Sequence, residues 1–373
     1  MSDFPLSGMR VVELNERGSA SYAGKLLHRL GAELIKVEAP TGDPLRRNGS
    51  PRHDSGGKTT TAAFDYFNDG KTISIVADPV MLREQLAAAD AFVLDLELSR
   101  YPAWSLDPAK LDKLGAKVVC AVSPFGLTGP YAHYRATDAV ISAYGGMSVG
   151  IGDPKRAPLN MPMLQSAIQG GLLASISIIG ALTGKRDSQA VIDISESDVW
   201  ATLHAGTTMG SFFFSNKMRR RAGRRLLGQP YPHQLFECKD GLIAVQASER
   251  HQFDQLVKMV GSPDFMTDRR FGTRMQMNNQ YADELDALLA PWFMARTRAE
   301  IFKDCLAFGI PAAPLQSLDE ARKHPALIAR DCFESYRGAT GKHVTVPRMP
   351  MRFANAEIRP AADVPAQAGD KNA

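Results

Sequence analysis

The sequence lacks the short motifs that assign an enzyme to a common mechanistic class. It contains no GxGxxG dinucleotide fingerprint, no GxxxxGK(S/T) phosphate loop, no HExxH and no GxSxG. Nicotinamide chemistry and nucleotide hydrolysis therefore have no motif support. No histidine stands at metal-ligand spacing from another ligand residue, so we expect a protein without a metal site.

Cysteine is scarce, and its spacing excludes two further classes of protein. The four cysteines lie far apart and form no CxxC pair, which argues against both a zinc site and a disulfide framework. We interpret them as buried or incidental thiols. They are Cys120, Cys238, Cys305 and Cys332.

Long hydrophobic runs and strong net charge are also missing. The first residues, MSDFPLSGMRV, lack the features of a signal peptide, and we count no run of the roughly 18 apolar residues that a membrane span needs. The net charge is only +4. We predict a cytoplasmic protein with neither a membrane nor a nucleic-acid partner. The basic run KMRRRAGRR, residues 217–225, suits either a patch for a phosphate-bearing ligand or a solvated connector between domains.

The pattern that is present alternates strands with helices. Residues 9–15 read as a buried strand, residues 21–30 as an amphipathic helix and residues 32–38 as a second strand. Further strand and helix patterns continue to residue 195 or so, and they predict an α/β domain with a largely parallel sheet. After a basic, glycine- and proline-rich linker, the hairpin pattern of residues 233–248 and several helices predict a smaller α+β domain.

Two loops at predicted strand ends are candidates for ligand binding. Residues 31–47 end a strand in a loop that carries Glu38 and Arg46, and an arginine there is suited to pairing with phosphate. Residues 123–131, SPFGLTGPY, contain Gly126 and Gly129, where backbone N–H groups can approach a ligand closely. Each loop can also be interpreted as a rigid turn that binds no ligand.

Several strings together resemble the family III CoA-transferases, the group of carnitine and formyl-CoA transferases and α-methylacyl-CoA racemase. They run in order from residue 5 to about residue 352: PLSGMRVVELN, LGAELIKVEAPTGDPLR, FNDGKTISI, AVSPFGLTGPY, TGKRDSQAVIDIS and GIPAAPLQSLDEA. The resemblance implies a large Rossmann-like domain that contains both chain ends, an inserted smaller α+β domain and an interlocked homodimer. On that basis we assign residues 1–220 and 325–373 to the large domain and residues 221–324 to the small one.

The resemblance also implies coenzyme A or its thioester as the ligand, bound mainly by the large domain. The positions that match the family's CoA-binding and fold-shaping motifs include Lys36, Glu38, Arg46, Lys71, Gly126 and Gly129.

Gln165 departs from the family's catalytic pattern. The family's transferases use an aspartate at the start of a helix, 28 residues before the aspartate of a strand. Counting back from Asp193 in AVIDIS gives Gln165, preceded by Pro162. An amide neither ionises nor attacks a thioester. The histidine that precedes an aspartate in the family's racemases is also absent, since Thr137 stands before Asp138.

These departures leave three functions open. Our first hypothesis is an enzyme that acts on acyl-CoA without forming an aspartyl anhydride intermediate. Its reaction would be of the isomerase, lyase or hydratase type. Gln165 would then hold the thioester oxygen, and a base would come from Asp138 or from Glu16, Glu237 or Asp240. The alternatives are conventional CoA transfer between an acyl-CoA and a carboxylic acid, and a catalytically silent CoA-ester-binding protein. Binding or turnover of a small-molecule acyl-CoA, with no metal, is common to all three.

Overall fold

The chain forms two compact units. The computed structural model describes residues 4–53, 59–184, 189–203, 210–216, 221, 223–226, 228–264 and 268–364. Residues 1–147, 160–209 and 325–373 make up the first unit, and residues 148–159 and 210–324 make up the second. We predicted that the second unit starts at residue 221, whereas in the structure it starts at residue 210 and also includes residues 148–159. The reason for the difference is local, because the Arg221 side chain donates to the carbonyl groups of Val149, Asp153 and Arg156.

A six-stranded parallel sheet organises the first unit. Counted along the chain, its strands lie side by side in the order third, second, first, fourth, fifth and sixth, which is the order of Rossmann folds. Parallel pairing sets Val12 opposite both Ile35 and Phe92. The strands are β1 (Arg10–Asn15), β2 (Glu33–Glu38), β5 (Thr72–Ile75), β6 (Ala91–Asp95), β7 (Val118–Ser123) and β8 (Ala190–Ser195). A second pair, β3 (Pro51–His53) and β4 (Thr59–Thr61), forms a short antiparallel ribbon.

The central strands are apolar on both sides because helical layers cover both faces of the sheet. On one face, Val12 and Phe92 pack in a core with Leu86 of α3 (Pro79–Ala87). On the other face, Val11 and Val93 pack with α1 (Ser19–Arg29) and α5 (Gln165–Thr183). The remaining helices of this unit are α2 (Ala62–Phe67), α4 (Asp138–Tyr144), α6 (Glu196–Leu203) and α13 (Pro325–Ala329).

Helix α5 corrects one expectation from the sequence. By length and composition alone it is apolar enough to cross a membrane, with a mean hydropathy of 1.5 over an 18-residue window, whereas we counted no such run. Its buried side packs on α1 and on the sheet through Ala174 and Ile178. The same test is passed by core helices of soluble proteins, so the helix is weak evidence for a membrane.

The second unit has an antiparallel sheet with helices packed around one core. The strands β9 (His233–Cys238), β10 (Gly241–Gln246) and β11 (Ala312–Pro314) lie in the order β11-β10-β9. The predicted hairpin is confirmed, although Gly241 pairs with Cys238 as the first residue of β10. Phe236 stacks on Phe293 with ring centroids 4.2 Å apart. The helices are α7 (Gly210–Ser215), α8 (Arg250–Met259), α9 (Arg274–Gln280), α10 (Ala282–Met294), α11 (Arg298–Ala307) and α12 (Leu318–Arg322).

The C-terminal segment returns to the first unit. Strands β12 (Phe333–Arg337) and β13 (His343–Pro347) form a hairpin, and the Tyr336 hydroxyl donates to the Asp65 carbonyl oxygen of α2 at 2.7 Å. Val364, the last residue of this described segment, is buried, and its backbone N–H donates to the Arg337 carbonyl oxygen at 2.8 Å. Residues 365–373 lie outside the described residues, as do residues 217–220 and 222 of the basic run.

Candidate active site

The carboxyl edge of the parallel sheet brings three helix starts together. Helix α1 follows β1, helix α6 follows β8, and α5 begins beside them. The contact with α1 is close, because a Cβ atom added at Gly171 of α5 would lie 2.5 Å from the Ser19 carbonyl oxygen. Ligands of open α/β sheets bind at this edge.

Helix α5 begins with an unusual backbone. Met163 and Leu164, the two residues before Gln165, have φ values of 71° and 55°. Side chains other than glycine rarely adopt this left-handed conformation, which costs roughly 1–2 kcal/mol per residue. Such strain clusters at functional sites. Gln165 itself is half-buried.

Asp138 supplies the cap that the start of α5 otherwise lacks. Leu164 makes no side-chain capping bond, and the Ser166 backbone N–H instead donates to Asp138 Oδ1 at 2.7 Å. Asp138 is the first residue of α4 and is half-buried. The Ser166 hydroxyl accepts from Trp200 Nε1 at 2.7 Å. The structure therefore brings Asp138 to the residue that follows Gln165.

The other candidate bases lie in different environments. Glu16 pairs with Arg100, with a shortest contact of 3.0 Å. Glu237 belongs to the second unit, where it pairs with Arg224 at 3.3 Å. Asp240, in the same unit, accepts from the Arg298 backbone N–H at 2.7 Å. Among the candidate bases, Asp138 is the one that accepts a hydrogen bond from the start of α5 in the part of the chain that the structure describes.

The start of α1, which binds phosphate in dinucleotide-binding folds, is occupied by a carboxylate of the chain itself. Asp95, at the end of β6, accepts the backbone N–H groups of Gly18 and Ala20 at 2.8 and 2.9 Å. It also accepts those of Glu16 and Arg17. Burial raises the pKa of Asp95 to about 7. Gly18 occupies the N-cap position of α1.

Arg17 and Glu196 tie the neighbouring loops together, and the sequence analysis missed the role of Arg17. Arg17 donates to Glu196 Oε2 at 2.8 Å and to the Ala136 carbonyl oxygen at 2.7 Å. The Ser19 hydroxyl donates to the other Glu196 oxygen at 2.5 Å. Glu196 is almost fully buried. The sequence did contain a signal for this role, because Arg17 stands two residues after β1, a strand that ends at the ligand-binding edge.

Four of the predicted CoA-binding side chains lie inside the first unit. Lys36 Nζ contacts Glu13 at 3.0 Å and Asp43 at 2.6 Å, and Lys71 Nζ contacts the other Glu13 oxygen at 2.7 Å. Burial alone would lower the pKa of Lys36, but Asp43 and Glu13 raise it above its ordinary value. We call Glu13, Lys36, Asp43 and Lys71 the buried charge cluster.

Glu38 and Arg46 form a pair at the edge of this cluster. Arg46 donates to both Glu38 oxygens, at 3.1 and 3.3 Å, and its guanidinium carbon lies 3.8 Å from the centre of the Phe64 ring. Both residues are buried. Together with the cluster, this pair fixes the loop that follows β2.

The two predicted glycines shape the loop after β7. Gly126 has φ +83°, and the following Leu127 N–H donates to both oxygens of Asp193, at 3.0 and 3.1 Å. A Cβ atom at Gly126 would lie 3.6 Å from an Asp193 oxygen. Gly129 has φ +95° and faces open space. Within the described ranges, no three His, Cys, Asp or Glu side chains are grouped so that they could hold a metal ion.

A comparison with protein families decides the assignment. The sequence profile of CoA-transferase family III matches residues 6–371. The chain belongs to this family.

Curated relatives carry transferase names. A succinate–glutarate CoA-transferase of Agrobacterium fabrum is 25% identical over 368 residues, which cover 95% of this chain and 91% of the relative. A probable fatty acyl-CoA transferase of Mycobacterium tuberculosis is 28% identical over 396 residues, which cover 99% and 96%. The crystal structure of a CAIB/BAIF family protein from Brucella suis superposes with a TM-score of 0.85 at 26% identity and covers 98% of this chain and 96% of that one.

Family membership confirms the expectation of an enzyme that acts on acyl-CoA, and the fold confirms a mixed α/β architecture with a parallel sheet. The relatives' names favour conventional CoA transfer, which the sequence analysis placed second, over isomerase, lyase or hydratase-type chemistry. Direct contact of CoA with Lys36, Glu38, Arg46, Lys71, Gly126 or Gly129 stays a prediction.

Proposed function

We propose that this family III member transfers CoA between an acyl-CoA and a carboxylic acid, with Asp138 as the reacting carboxylate. One observation carries the proposal: Asp138 Oδ1 lies 2.7 Å from the Ser166 backbone nitrogen, at the helix start where the family pattern places its aspartate. In this chain Gln165 occupies the pattern's own position. The carboxylate thus reaches the same helix start from α4.

The chemistry needs one carboxylate that can form and release acyl bonds. Asp138 attacks the thioester carbonyl, the C–S bond breaks, and CoA thiolate leaves a mixed anhydride on the enzyme. The thiolate then attacks the Asp138 carbonyl carbon, which releases the donor acid and leaves an enzyme–CoA thioester. The acceptor carboxylate repeats these steps in reverse. Every step exchanges one acyl bond for another, so no oxidant or hydrolysis is required.

Gln165 and the backbone support this chemistry without ionising. The Gln165 amide carries two N–H donors at the start of α5, where the helix dipole also stabilises negative charge. A donor placed there stabilises the oxyanion that develops on the thioester carbonyl. The left-handed residues Met163 and Leu164 fix the position of Gln165.

Trapping the enzyme-bound intermediate tests the role of Asp138. The protein is incubated with an acyl-CoA and an acceptor acid, treated with sodium borohydride to reduce an enzyme thioester, and digested for peptide mass spectrometry. We expect reduction at Asp138 in the wild type. Because the nucleophile is removed, Asp138→Asn should lower the transfer rate by at least about 100-fold.

A matched control separates catalysis from helix capping. Asp78 caps α3 by accepting the N–H groups of Val80 and Met81, as Asp138 caps α5. Asparagine keeps a capping oxygen in both variants, so Asp78→Asn, like Asp138→Asn, should change the free energy of unfolding by only a few tenths of a kcal/mol, with transfer unchanged for Asp78→Asn. Transfer that survives Asp138→Asn, or a modified residue other than Asp138, would overturn the assignment.

One observation favours a second candidate function. The residue at the family's nucleophile position is an amide, which suits proton chemistry on a bound thioester in which Gln165 holds the enolate oxygen and Asp138 moves the proton. Incubation in D₂O without an acceptor acid distinguishes the two. Deuterium at the α-carbon without transfer would favour this candidate, and acceptor-dependent transfer with ping-pong kinetics favours the first.

We also propose that the protein works as an interlocked homodimer in the cytoplasm, with the second unit as an inserted domain. Exposed apolar side chains on α5 and on the edge strand β8 support an interface with another chain, because monomers rarely expose such patches. They are Leu172, Leu173, Ile176 and Val191. Light scattering coupled to size-exclusion chromatography tests the dimer, and a monomer at micromolar concentration would contradict it.

A further inference from the structure

Glu97 neutralises two arginines beside the candidate active site. Its carboxylate lies 3.5 Å from Arg17 Nη1 and 3.4 Å from Arg135 Nε. Arg17 is also held by Glu196 and by the Ala136 carbonyl group, two residues before Asp138. The Glu97 side chain is only 20% exposed, so its charge is poorly screened by water.

The charges around Asp138 therefore disfavour a second anion. The charged groups in this part of the first unit include five carboxylates and three guanidinium groups. The carboxylates are those of Glu16, Asp95, Glu97, Glu196 and Asp138, and the guanidinium groups are those of Arg17, Arg100 and Arg135. A substrate with a carboxylate on its acyl tail would need a guanidinium group that is not already paired. Placing it here brings like charges together, which costs binding free energy.

An exposed aromatic cluster lies along the same segment. Phe125 packs against Tyr131 and Tyr144, with ring centroids 5.9 and 5.2 Å apart, and Tyr134 packs against Tyr131 at 5.0 Å. Between 41% and 56% of each tyrosine stays exposed. Tyr144 ends α4, which Asp138 begins, so the cluster lies about 9 Å from Asp138 along the helix axis. Exposed aromatic faces suit an apolar ligand group.

We propose that Glu97 determines the substrate class of this site: acyl-CoA esters and acids whose tail beyond the reacting carboxyl group is uncharged and apolar. Glu97 acts by keeping Arg135 paired and by adding a second carboxylate to Arg17 beside Glu196. The aromatic cluster Phe125, Tyr131, Tyr134 and Tyr144 receives the tail. This inference rests on the proposed function, since it concerns the same site. It separates this chain from its relative named for succinate and glutarate.

Two esters with the same number of carbons test the proposal. Pentanoyl-CoA and glutaryl-CoA differ in the terminal carboxylate, and both are assayed with acetate as acceptor. We expect kcat/KM to favour pentanoyl-CoA by about tenfold or more, because the glutaryl carboxylate meets a net negative site. Calorimetric dissociation constants for both esters are measured in parallel.

Two charge variants should move this ratio in opposite directions. Glu97→Gln leaves Arg135 without its carboxylate partner and Arg17 paired with Glu196 alone. It should narrow the preference for pentanoyl-CoA at least about threefold, mainly through a lower KM for glutaryl-CoA. Arg135→Gln removes a positive charge that is 76% exposed, so it should widen the preference with little risk to folding. Glu33→Gln, at the amino end of β2, is the control and should leave the ratio unchanged.

A third variant tests the aromatic cluster. Tyr131→Ala removes the ring that contacts Phe125, Tyr134 and Tyr144, so it should lower kcat/KM for pentanoyl-CoA by about threefold or more and change glutaryl-CoA less. An equal loss of kcat/KM for both esters would show that the aromatic cluster does not bind the acyl tail.

The outcomes separate this inference from the proposed function. Transfer with equal use of both esters, or a ratio that Glu97→Gln does not change, overturns the substrate class and leaves transfer intact. If neither ester is turned over, the proposed function fails, and the dissociation constants decide the inference. A binding preference for pentanoyl-CoA that Glu97→Gln narrows then supports it, and equal binding overturns it. Thermal unfolding confirms that each variant is folded.

Discussion

The buried charge cluster and the start of α5 belong to the same unit, and they differ in what their charged groups do. In the cluster, the Lys36 and Lys71 side chains are fully buried, and both contact Glu13. At the start of α5, Asp138 is half-buried, and its Oδ1 accepts a backbone N–H. The first arrangement leaves its ammonium groups paired within the chain, whereas the second keeps a carboxylate near solvent.

The contrast between the buried charge cluster and the start of α5 shows that residues shared with the family can have different roles. Residues such as Lys36 match the family and are held inside the fold, where replacing a partner exposes an unpaired charge. Gln165 stands at the position that the spacing from Asp193 predicts for the reacting residue, and its departure from the family pattern stays a prediction. A residue that this chain shares with the family can therefore be shared because it stabilises the fold. Gln165 and its neighbour Asp138 say more about which reaction the site carries out.

Breaking the cluster should produce the largest effect. Lys36→Met removes the ammonium group that contacts Glu13 and Asp43, and both carboxylates stay buried without that partner. We expect the free energy of unfolding to fall by about 3–5 kcal/mol. Chemical denaturation followed by circular dichroism measures the change.

An exposed lysine pair provides the control for Lys36→Met. Lys117 contacts Asp90 at 2.7 Å, but its side chain is 74% exposed. Lys117→Met should therefore cost less than about 1 kcal/mol. Similar losses for the two variants would show that burial does not distinguish the cluster from a surface ion pair.

Much of the fold follows from local sequence patterns. The first two sheet strands and α1 lie within two residues of their predicted ranges, because apolar periodicity and glycine or serine boundaries are local signals. The hairpin β12–β13 and helix α2 were missed. Their stability comes from contacts distant in sequence, such as the bond from Tyr336 to the Asp65 carbonyl group, which no local window contains.

The candidate site was predictable in part. The spacing from Asp193 and the family pattern identified Gln165, and the structure places Asp138 next to it. The roles of Arg17 and Glu97 were missed because their pairing joins residues 80 positions apart through the ends of two strands. Parallel sheet order decides which loops meet, and sequence spacing alone does not give that order.

The pH dependence of the free energy of unfolding tests the buried region next to the charge cluster. His28 borders Lys71, and burial together with Arg359 lowers its pKa to about 4. Between pH 6.5 and 4 the unfolded chain binds a proton that the folded chain does not bind, so stability is lost as the pH falls through this window. The loss from this group reaches up to about 3 kcal/mol. Unfolding free energies measured from pH 7 to 4.5 test the slope.

Replacing His28 isolates its share of that slope. His28→Gln retains an acceptor for the Arg359 N–H that now bonds to His28 Nδ1 at 2.7 Å, but it does not titrate. The variant should therefore lose less stability than the wild type on acidification. Equal slopes in the two proteins would mean that His28 has the same pKa in the folded and the unfolded chain, which would contradict the prediction.

The smallest effect is expected from relieving the backbone strain at Met163, just before α5. Met163 has φ 71° and its side chain is 77% exposed, so Met163→Gly relieves a left-handed backbone at little cost in packing. The gain is reduced by the greater freedom of glycine in the unfolded chain, and we expect a net stabilisation of about 0.5 kcal/mol. The control Met275→Gly lies in α9, where glycine should destabilise by about 1 kcal/mol. Thermal melts compare the two. If Met163→Gly also destabilises, the contacts of the side chain outweigh the strain, and the start of α5 is held by packing, as the buried charge cluster is held by charge.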